Sequence, residues 1–146
     1  MKKLLFIATG GTIASCDSGS GLSPEASAEE LLSGVNLPDA EIHAIQPFAL
    51  DSTDLTPQHW MEVAALIRDR WQDFDGFVIT HGTDTMEETA YFLNLTVKCK
   101  KPVVLVGAML PSTGLGADGP RNLYNAVLTA ATKETAKQGV VVAMNN

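Results

Sequence analysis

The sequence predicts an α/β protein, one mostly parallel sheet between two layers of helices. Three observations carry that reading. Short apolar runs rich in β-branched residues alternate along the chain with segments of helical period. The helical segments open on recognisable caps. The runs are apolar at consecutive positions, as strands buried on both faces are.

Residues 3–8 (Lys-Leu-Leu-Phe-Ile-Ala) are the first strand. Ser27 and Glu30 then form a capping box, and Gly34 closes the short helix after it. Residues 41–48 make a weaker strand. Thr56 followed by Pro57 reads as an N-cap with a first-turn proline. Trp60, Val63, Ala64, Ile67 and Trp71 fall on one face of that helix and point to the core. Residues 76–80 (Gly-Phe-Val-Ile-Thr) are the third strand. Thr85 and Glu88 read as a second capping box, opening a helix that runs to about residue 96. Residues 102–107 (Pro-Val-Val-Leu-Val-Gly) are the fourth strand. Asp118 or Gly119, before Pro120, opens a helix with Leu123, Ala126, Val127, Ala130 and Ala131 inward. Residues 139–144 (Gly-Val-Val-Val-Ala-Met) form a last strand of the buried, central type. Right-handed crossovers turn this order into a three-layer α/β/α arrangement of the Rossmann or flavodoxin-like kind.

Two stretches fit no regular element. Residues 15–24 are small and polar and read as a mobile loop, and residues 108–120 form a second loop. The chain stops directly after a central-type strand, where domains more often finish on a covering helix. It therefore reads as one part of a longer protein.

Composition excludes several classes. With 146 residues, 45% apolar and 18% charged, the chain is the size of one domain and is not a disordered tail. Two cysteines, Cys16 and Cys99, do not make a disulfide scaffold. No window reaches the roughly 20 apolar residues of a membrane helix. The opening apolar run is shorter than the roughly 7–15 residues of a signal-peptide core, which points to a cytoplasmic protein. Ten basic residues against seventeen acidic ones give a net charge of −7, and no basic cluster exceeds Lys98, Lys100 and Lys101. Nucleic acid is not an expected partner. No grouping has metal-ligand spacing, so neither metal nor cofactor is expected.

In open α/β sheets, ligands bind beyond the carboxyl ends of the strands. Thr9-Gly10-Gly11-Thr12 stands there after the first strand and Asp51-Ser52-Thr53-Asp54 after the second. His81-Gly82-Thr83-Asp84-Thr85 comes after the third, and Ala108 and Met109 after the fourth. Hydroxyls, glycine amides and acids converge without aromatic or basic lining. Such a rim suits a small, polar, zwitterionic ligand. Taken alone, Thr9-Gly10-Gly11-Thr12 reads as a phosphate cradle, a tight turn, or an anion hole beside a threonine nucleophile. It lacks the spacing and lysine of a P-loop. Asp84 and Thr85 read either as helix caps or as ligand-holding groups at a helix N-terminus. His81 is either a general base or a hydrogen-bonded structural residue, with the second favoured. A threonine nucleophile needs a base, such as a lysine of lowered pKa. Lys98, Lys100, Lys101, Lys133 and Lys137 lie on predicted helices or their outer connections, away from the rim.

These residues resemble the bacterial-type L-asparaginases. Thr9-Gly10-Gly11-Thr12-Ile13-Ala14 is similar to that family's first signature, and residues 76–90 are similar to its second. Gly107-Ala108-Met109, Pro111-Ser112-Thr113, Ala117-Asp118-Gly119-Pro120 and Asn122 to Ala126 match its next loop and helix. The resemblance implies hydrolysis of L-asparagine to L-aspartate and ammonia, in a homo-oligomer (dimer or tetramer at full length). It implies Thr12 as nucleophile, Thr83 as second catalytic threonine, and Asp84 as ammonium holder and relay member. Ser52 would hold the α-carboxylate, while Gly11, Gly82 and Ala108 would give backbone contacts. On this reading residues 1–146 are the N-terminal domain. The family's catalytic lysine and C-terminal domain lie outside them, so the isolated chain is expected to be inactive or nearly so. The loop tyrosine of many members is missing from residues 13–30. Cys99 resembles a disulfide cysteine of exported members without a matching partner, in keeping with a reduced, cytoplasmic protein. Two other readings compete: an ammonia-releasing subunit of a tRNA-dependent amidotransferase, and a non-catalytic amino-acid-binding module.

Overall fold

The computed structural model describes residues 1–17, 21–33 and 40–145. Its strands are β1 (Lys2–Ala8), β2 (Ser15–Asp17), β3 (Leu22–Pro24), β4 (Ala40–Ile45), β5 (Gly76–Thr80), β6 (Val103–Val106) and β7 (Val140–Ala143). Its helices are α1 (Ala28–Leu32), α2 (Pro57–Arg70), α3 (Met86–Thr96) and α4 (Gly119–Ala131). Five strands form one sheet in the order β4-β1-β5-β6-β7, and every pair in it is parallel. The three-layer α/β architecture expected from the sequence is present.

Strand alternation explains the continuous apolar runs. Leu4, Phe6 and Ala8 of β1, with Val78, Val104 and Val106, pack against Ala28 of α1 and Leu123, Ala126, Val127 and Ala130 of α4. Leu5 and Ile7, with Phe77, Ile79 and Leu105, pack on the other face against Val63, Ala64 and Ile67 of α2 and Leu93 of α3. Fully burying one such side chain contributes about 1.5–3 kcal/mol. A polar residue at any of these positions would therefore break one of the two layers.

The caps are partly as expected. The Ser27 N–H donates to Glu30 Oε2 at 2.7 Å and the Glu30 N–H to Ser27 Oγ at 3.2 Å, a complete capping box. At the start of α2 the Thr56 N–H donates to His59 Nδ1 at 3.0 Å. The second box, from Thr85 to Glu88, does not form. The Thr85 hydroxyl donates instead to the Ser52 carbonyl at 2.9 Å, a tertiary bond that outcompetes the local one. Gly34 lies outside the described residues.

Four further expectations are corrected. Residues 15–17 and 22–24 pair antiparallel, Ser15 with Pro24 and Cys16 with Ser23, where an irregular loop was expected. The hairpin is anchored, since the Ala26 N–H donates to the Ala14 carbonyl at 3.0 Å and the Ser112 N–H to the Ser15 carbonyl at 3.2 Å. Trp71 is 40% exposed: it is the C-cap residue beyond the last turn of α2, with its backbone still in the helical region. Ala131 is only half-buried, at the last turn of α4. The last strand is an edge of the described sheet, and Val142 is 46% exposed. Among the described residues no helix is long and apolar enough to cross a membrane.

Candidate active site

The order β4-β1-β5-β6-β7 places a topological switch point between β1 and β5. From β1 the chain crosses to β4 on one side and then returns to β5 on the other. A crevice opens at such a point beyond the carboxyl ends of the two strands. Two buried threonines tie these ends together. The Thr9 N–H donates to Thr80 Oγ1 at 3.1 Å, and the Thr9 hydroxyl donates to the Thr80 carbonyl.

Three loops meet just above that tie. Gly10 and Gly11 leave β1 with φ of +111° and +82°, a region that favours glycine. The Gly11 N–H donates to the Leu50 carbonyl at 3.1 Å, and the Leu50 N–H donates to the Thr9 carbonyl at 2.9 Å. This holds the segment after β4 against the exit of β1. Gly11 lies so close to the turn after β5 that a Cβ on it would stand 2.3 Å from the Gly82 nitrogen. A Cβ on Gly82 would in turn stand 2.7 Å from Ser52 Oγ. Gly82 is thus packed between the Gly11 backbone on one side and Ser52 on the other, and a side chain at Gly11 or Gly82 would collide with these neighbours.

The expected catalytic residues are placed by this contact. Thr12, half-buried, opens a short 3₁₀ turn through Ala14. Thr83 is half-buried and Asp84 exposed in the turn before α3. Ser52 is buried, and its carbonyl is held by Thr85 as described. Because the Gly11 N–H bonds to Leu50, Gly11 serves this arrangement through its missing side chain rather than as a free donor.

Ala108 is fully buried at the exit of β6. Its neighbour Gly107 packs so tightly that a Cβ there would stand 2.8 Å from the His81 carbonyl, which joins this exit to the same rim. The residues expected after the four strands therefore form one continuous edge.

His81 is 1% exposed, and both ring nitrogens are engaged. Nδ1 lies 2.6 Å from the Gly82 carbonyl, so it carries the proton. Nε2 lies 2.7 Å from the Thr89 hydroxyl, which donates to it. Burial holds the ring pKa below its ordinary value, against the opposing pull of the Gly82 carbonyl and of Glu87. A neutral, doubly bonded imidazole supports the Gly82 turn, so the structural alternative for His81 holds.

Sequence reasoning read Asp118 only as a helix start and gave Asn122 no role. The Asp118 carboxylate accepts from the Met109 N–H at 3.1 and 3.0 Å and from the Leu110 N–H at 3.0 Å. Asn122 bridges it to the Gly107 carbonyl. The available signal was an acid placed to meet bare N–H groups across a loop rich in Gly and Pro.

The lysines stand elsewhere. Lys2 and Lys3 open β1, Lys98, Lys100 and Lys101 precede β6, and Lys133 and Lys137 precede β7, all at the amino end of the sheet. Both cysteines are free thiols. Among the described residues no group of three His, Cys, Asp or Glu side chains could hold a metal ion. The rim offers alcohols, a carboxylate and backbone groups, a set fitted to acyl transfer on a small amino acid.

Comparison with known proteins agrees with this chemistry. The family model described as "Asparaginase, N-terminal" matches residues 3–146. The chain is 50% identical over 158 residues to a probable periplasmic L-asparaginase of Haemophilus influenzae, covering 100% of this chain and 44% of that protein. It is 49% identical over 152 residues to L-asparaginase 2 of Escherichia coli, again covering 100% and 44%. The crystal structure of a probable cytoplasmic L-asparaginase from Campylobacter jejuni superposes with a TM-score of 0.89 at 45% identity, over 100% of this chain and 45% of that one. The chain therefore spans less than half the length of these relatives. They lend no support to an amidotransferase subunit or a non-catalytic binding module.

Proposed function

The chain belongs to the asparaginase family through its N-terminal domain, and from that premise we propose that its carboxyl rim is the nucleophile-bearing side of an amidohydrolase site. The reaction is hydrolysis of the L-asparagine side-chain amide to L-aspartate and ammonia. The observation that carries the reading is the close packing of Gly11 on Gly82 and of Gly82 on Ser52 at the switch point. In support, Thr12 directly follows Gly11, and Thr83 and Asp84 directly follow Gly82.

The roles come from the chemistry of each group. Thr12 Oγ attacks the amide carbon. The nitrogen gains a proton and leaves as ammonia, and water then cleaves the threonyl ester to release aspartate. Thr83 and Asp84 relay the proton, and the Asp84 carboxylate also attracts the substrate ammonium. The Ser52 hydroxyl holds the α-carboxylate. Gly82 and Ala108 offer backbone groups, and Gly11 lets the two turns meet.

The base, a lysine of lowered pKa, comes from outside residues 1–146. In support, every lysine of this chain stands at or before the amino end of a strand. The full-length protein is a homo-oligomer, dimer or tetramer. It works in the cytoplasm, a reading favoured by the two free thiols and by the name of the Campylobacter relative, against that of the periplasmic Haemophilus one.

The test is ammonia release from L-asparagine by the full-length protein and its Thr12→Ala variant. Activity should fall by at least about a thousandfold while the fold is kept. Retained turnover rejects Thr12 as nucleophile.

A further inference from the structure

The exit of β6 is held in an unusual way. Met109 and Leu110 are 60% and 42% exposed, so their N–H groups had water available as a partner. Both donate instead to one carboxylate nine and eight residues further on, that of Asp118. The same carboxylate accepts from Asn122 Nδ2 at 2.9 Å. Asn122 is 1% exposed, and its Nδ2 also donates to the Gly107 carbonyl at 3.0 Å. Its Oδ1 accepts the Asn145 N–H at 3.3 Å, at the exit of β7. Asp118 and Asn122 thus grip the backbone on both sides of Ala108.

Asp118 occupies the N-cap position of α4, where a plain helix start would have its carboxylate accept from the first-turn N–H groups. It makes no such bond. The side chain gives up its local role and reaches the rim segment instead. Burial raises the Asp118 pKa, but the donors from Met109, Leu110, its own N–H and Asn122 together outweigh this and hold the carboxyl below its ordinary value. The grip is therefore charged at neutral pH.

We propose that Asp118, braced by Asn122, is a positioning residue that fixes the Ala108 backbone at the rim and so sets the affinity for the amino-acid substrate. The inference rests on the amidohydrolase reading, since it concerns where that site's fourth wall stands. The Ala108 wall differs from the other three. Gly11 packs directly on Gly82 and Gly82 on Ser52, whereas Ala108 depends on a side chain of another element.

The experiment is steady-state hydrolysis of L-asparagine by the full-length protein with Asp118→Ala, Asp118→Asn and Val127→Ala. Val127 is a buried α4 residue facing the sheet core, and its truncation serves as a stability control. Asp118→Ala should lower kcat/KM at least about tenfold, mainly through KM, because a misplaced contact weakens binding before reaction. Amide exchange at Met109 and Leu110 should quicken in the same variant. Asp118→Asn keeps one acceptor oxygen for the Met109 and Leu110 N–H groups but turns a donor toward Asn122, and should recover only part of the loss. Val127→Ala should lose thermal stability yet keep kcat/KM within about twofold of the unaltered protein. Unchanged kinetics in Asp118→Ala overturn the inference alone, as does an equal kinetic loss in Val127→Ala. An unaltered protein that releases no ammonia overturns the amidohydrolase reading, and this inference with it.

Discussion

The two ends of the sheet solve opposite problems. At the amino end the lysines answer backbone carbonyls and acids. The Lys101 ammonium donates to the Trp71 and Phe74 carbonyls just past α2, and the Lys2 ammonium pairs with Asp75 at 3.6 Å. The Lys3 N–H also donates to Asp75 Oδ2 at 2.9 Å. Cations near helix C-termini complement the helix dipole and satisfy its last carbonyls. The carboxyl end is built from glycines in close backbone contact, buried hydroxyls and acids. The close approaches there tolerate no added atom. The amino end stabilises the fold with groups that could be exchanged cheaply. The carboxyl end is over-determined, as sites that must hold a reactive geometry are.

Gly11→Ala is the sharpest way to break that contrast. Its Cβ would stand 2.3 Å from the Gly82 nitrogen and 2.6 Å from the His81 carbonyl carbon, at a φ of +82°. Those neighbours are backbone and cannot rotate away. The variant should lose more than about 2 kcal/mol of stability in denaturant unfolding, and its activity with it. A Gly11→Ala protein with unchanged stability would show that the two turns are not packed as described. Thr12→Ala is its complement one residue on, removing activity but little stability.

This division also governs what could be read from the sequence. The buried strands were legible because both their faces are covered, so apolar residues run without a break from Leu4 to Ala8 and from Val103 to Val106. The rim residues after β1, β5 and β6 were legible for the same reason, since they come directly after such runs, whereas Ser52 follows the half-buried β4 at a distance. The hairpin of residues 15–17 and 22–24 was not. Its strands are three residues long and mostly small or polar, so no period-2 pattern exists to detect. Thr85 has the capping-box spacing, yet its hydroxyl chose Ser52, 33 residues away. The Asp118 and Asn122 bonds are of the same kind. Local spacing reveals local bonds, and the supports of the candidate site are tertiary.

Stability should depend on pH, first through His81 at the carboxyl end. His81 has a folded-state pKa below its unfolded value of about 6.5. The unfolded chain therefore binds the proton first as pH falls. The associated stability is fully present above about pH 6.5 and is lost as pH falls below it towards the folded-state pKa. Asp75 and Asp118, both lowered, add stability of the other class, which is lost only as pH falls below the ordinary carboxylate range. Unfolding free energy should decline in two steps, the first with a slope of at most about 1.4 kcal/mol per pH unit. His81→Gln should flatten the first step and leave the second. A first step unchanged in that variant would reject a buried, neutral His81.

The smallest effect is expected at the amino end. Lys101→Met keeps the aliphatic stem beside the Trp71 ring, over which the ammonium sits at 5.8 Å, but removes the donor to the Trp71 and Phe74 carbonyls. The Trp71 carbonyl can turn to water, since that residue is 40% exposed, while the Phe74 carbonyl loses its ammonium partner at a buried residue. The loss should be about 1 kcal/mol in denaturant unfolding, with kcat/KM unchanged. The carboxyl-end variants fail differently, since there the displaced partner is packed backbone. A Lys101→Met protein that lost activity in step with Gly11→Ala would mean that the two ends are coupled through the sheet, and that the amino end is as over-determined as the rim it faces away from.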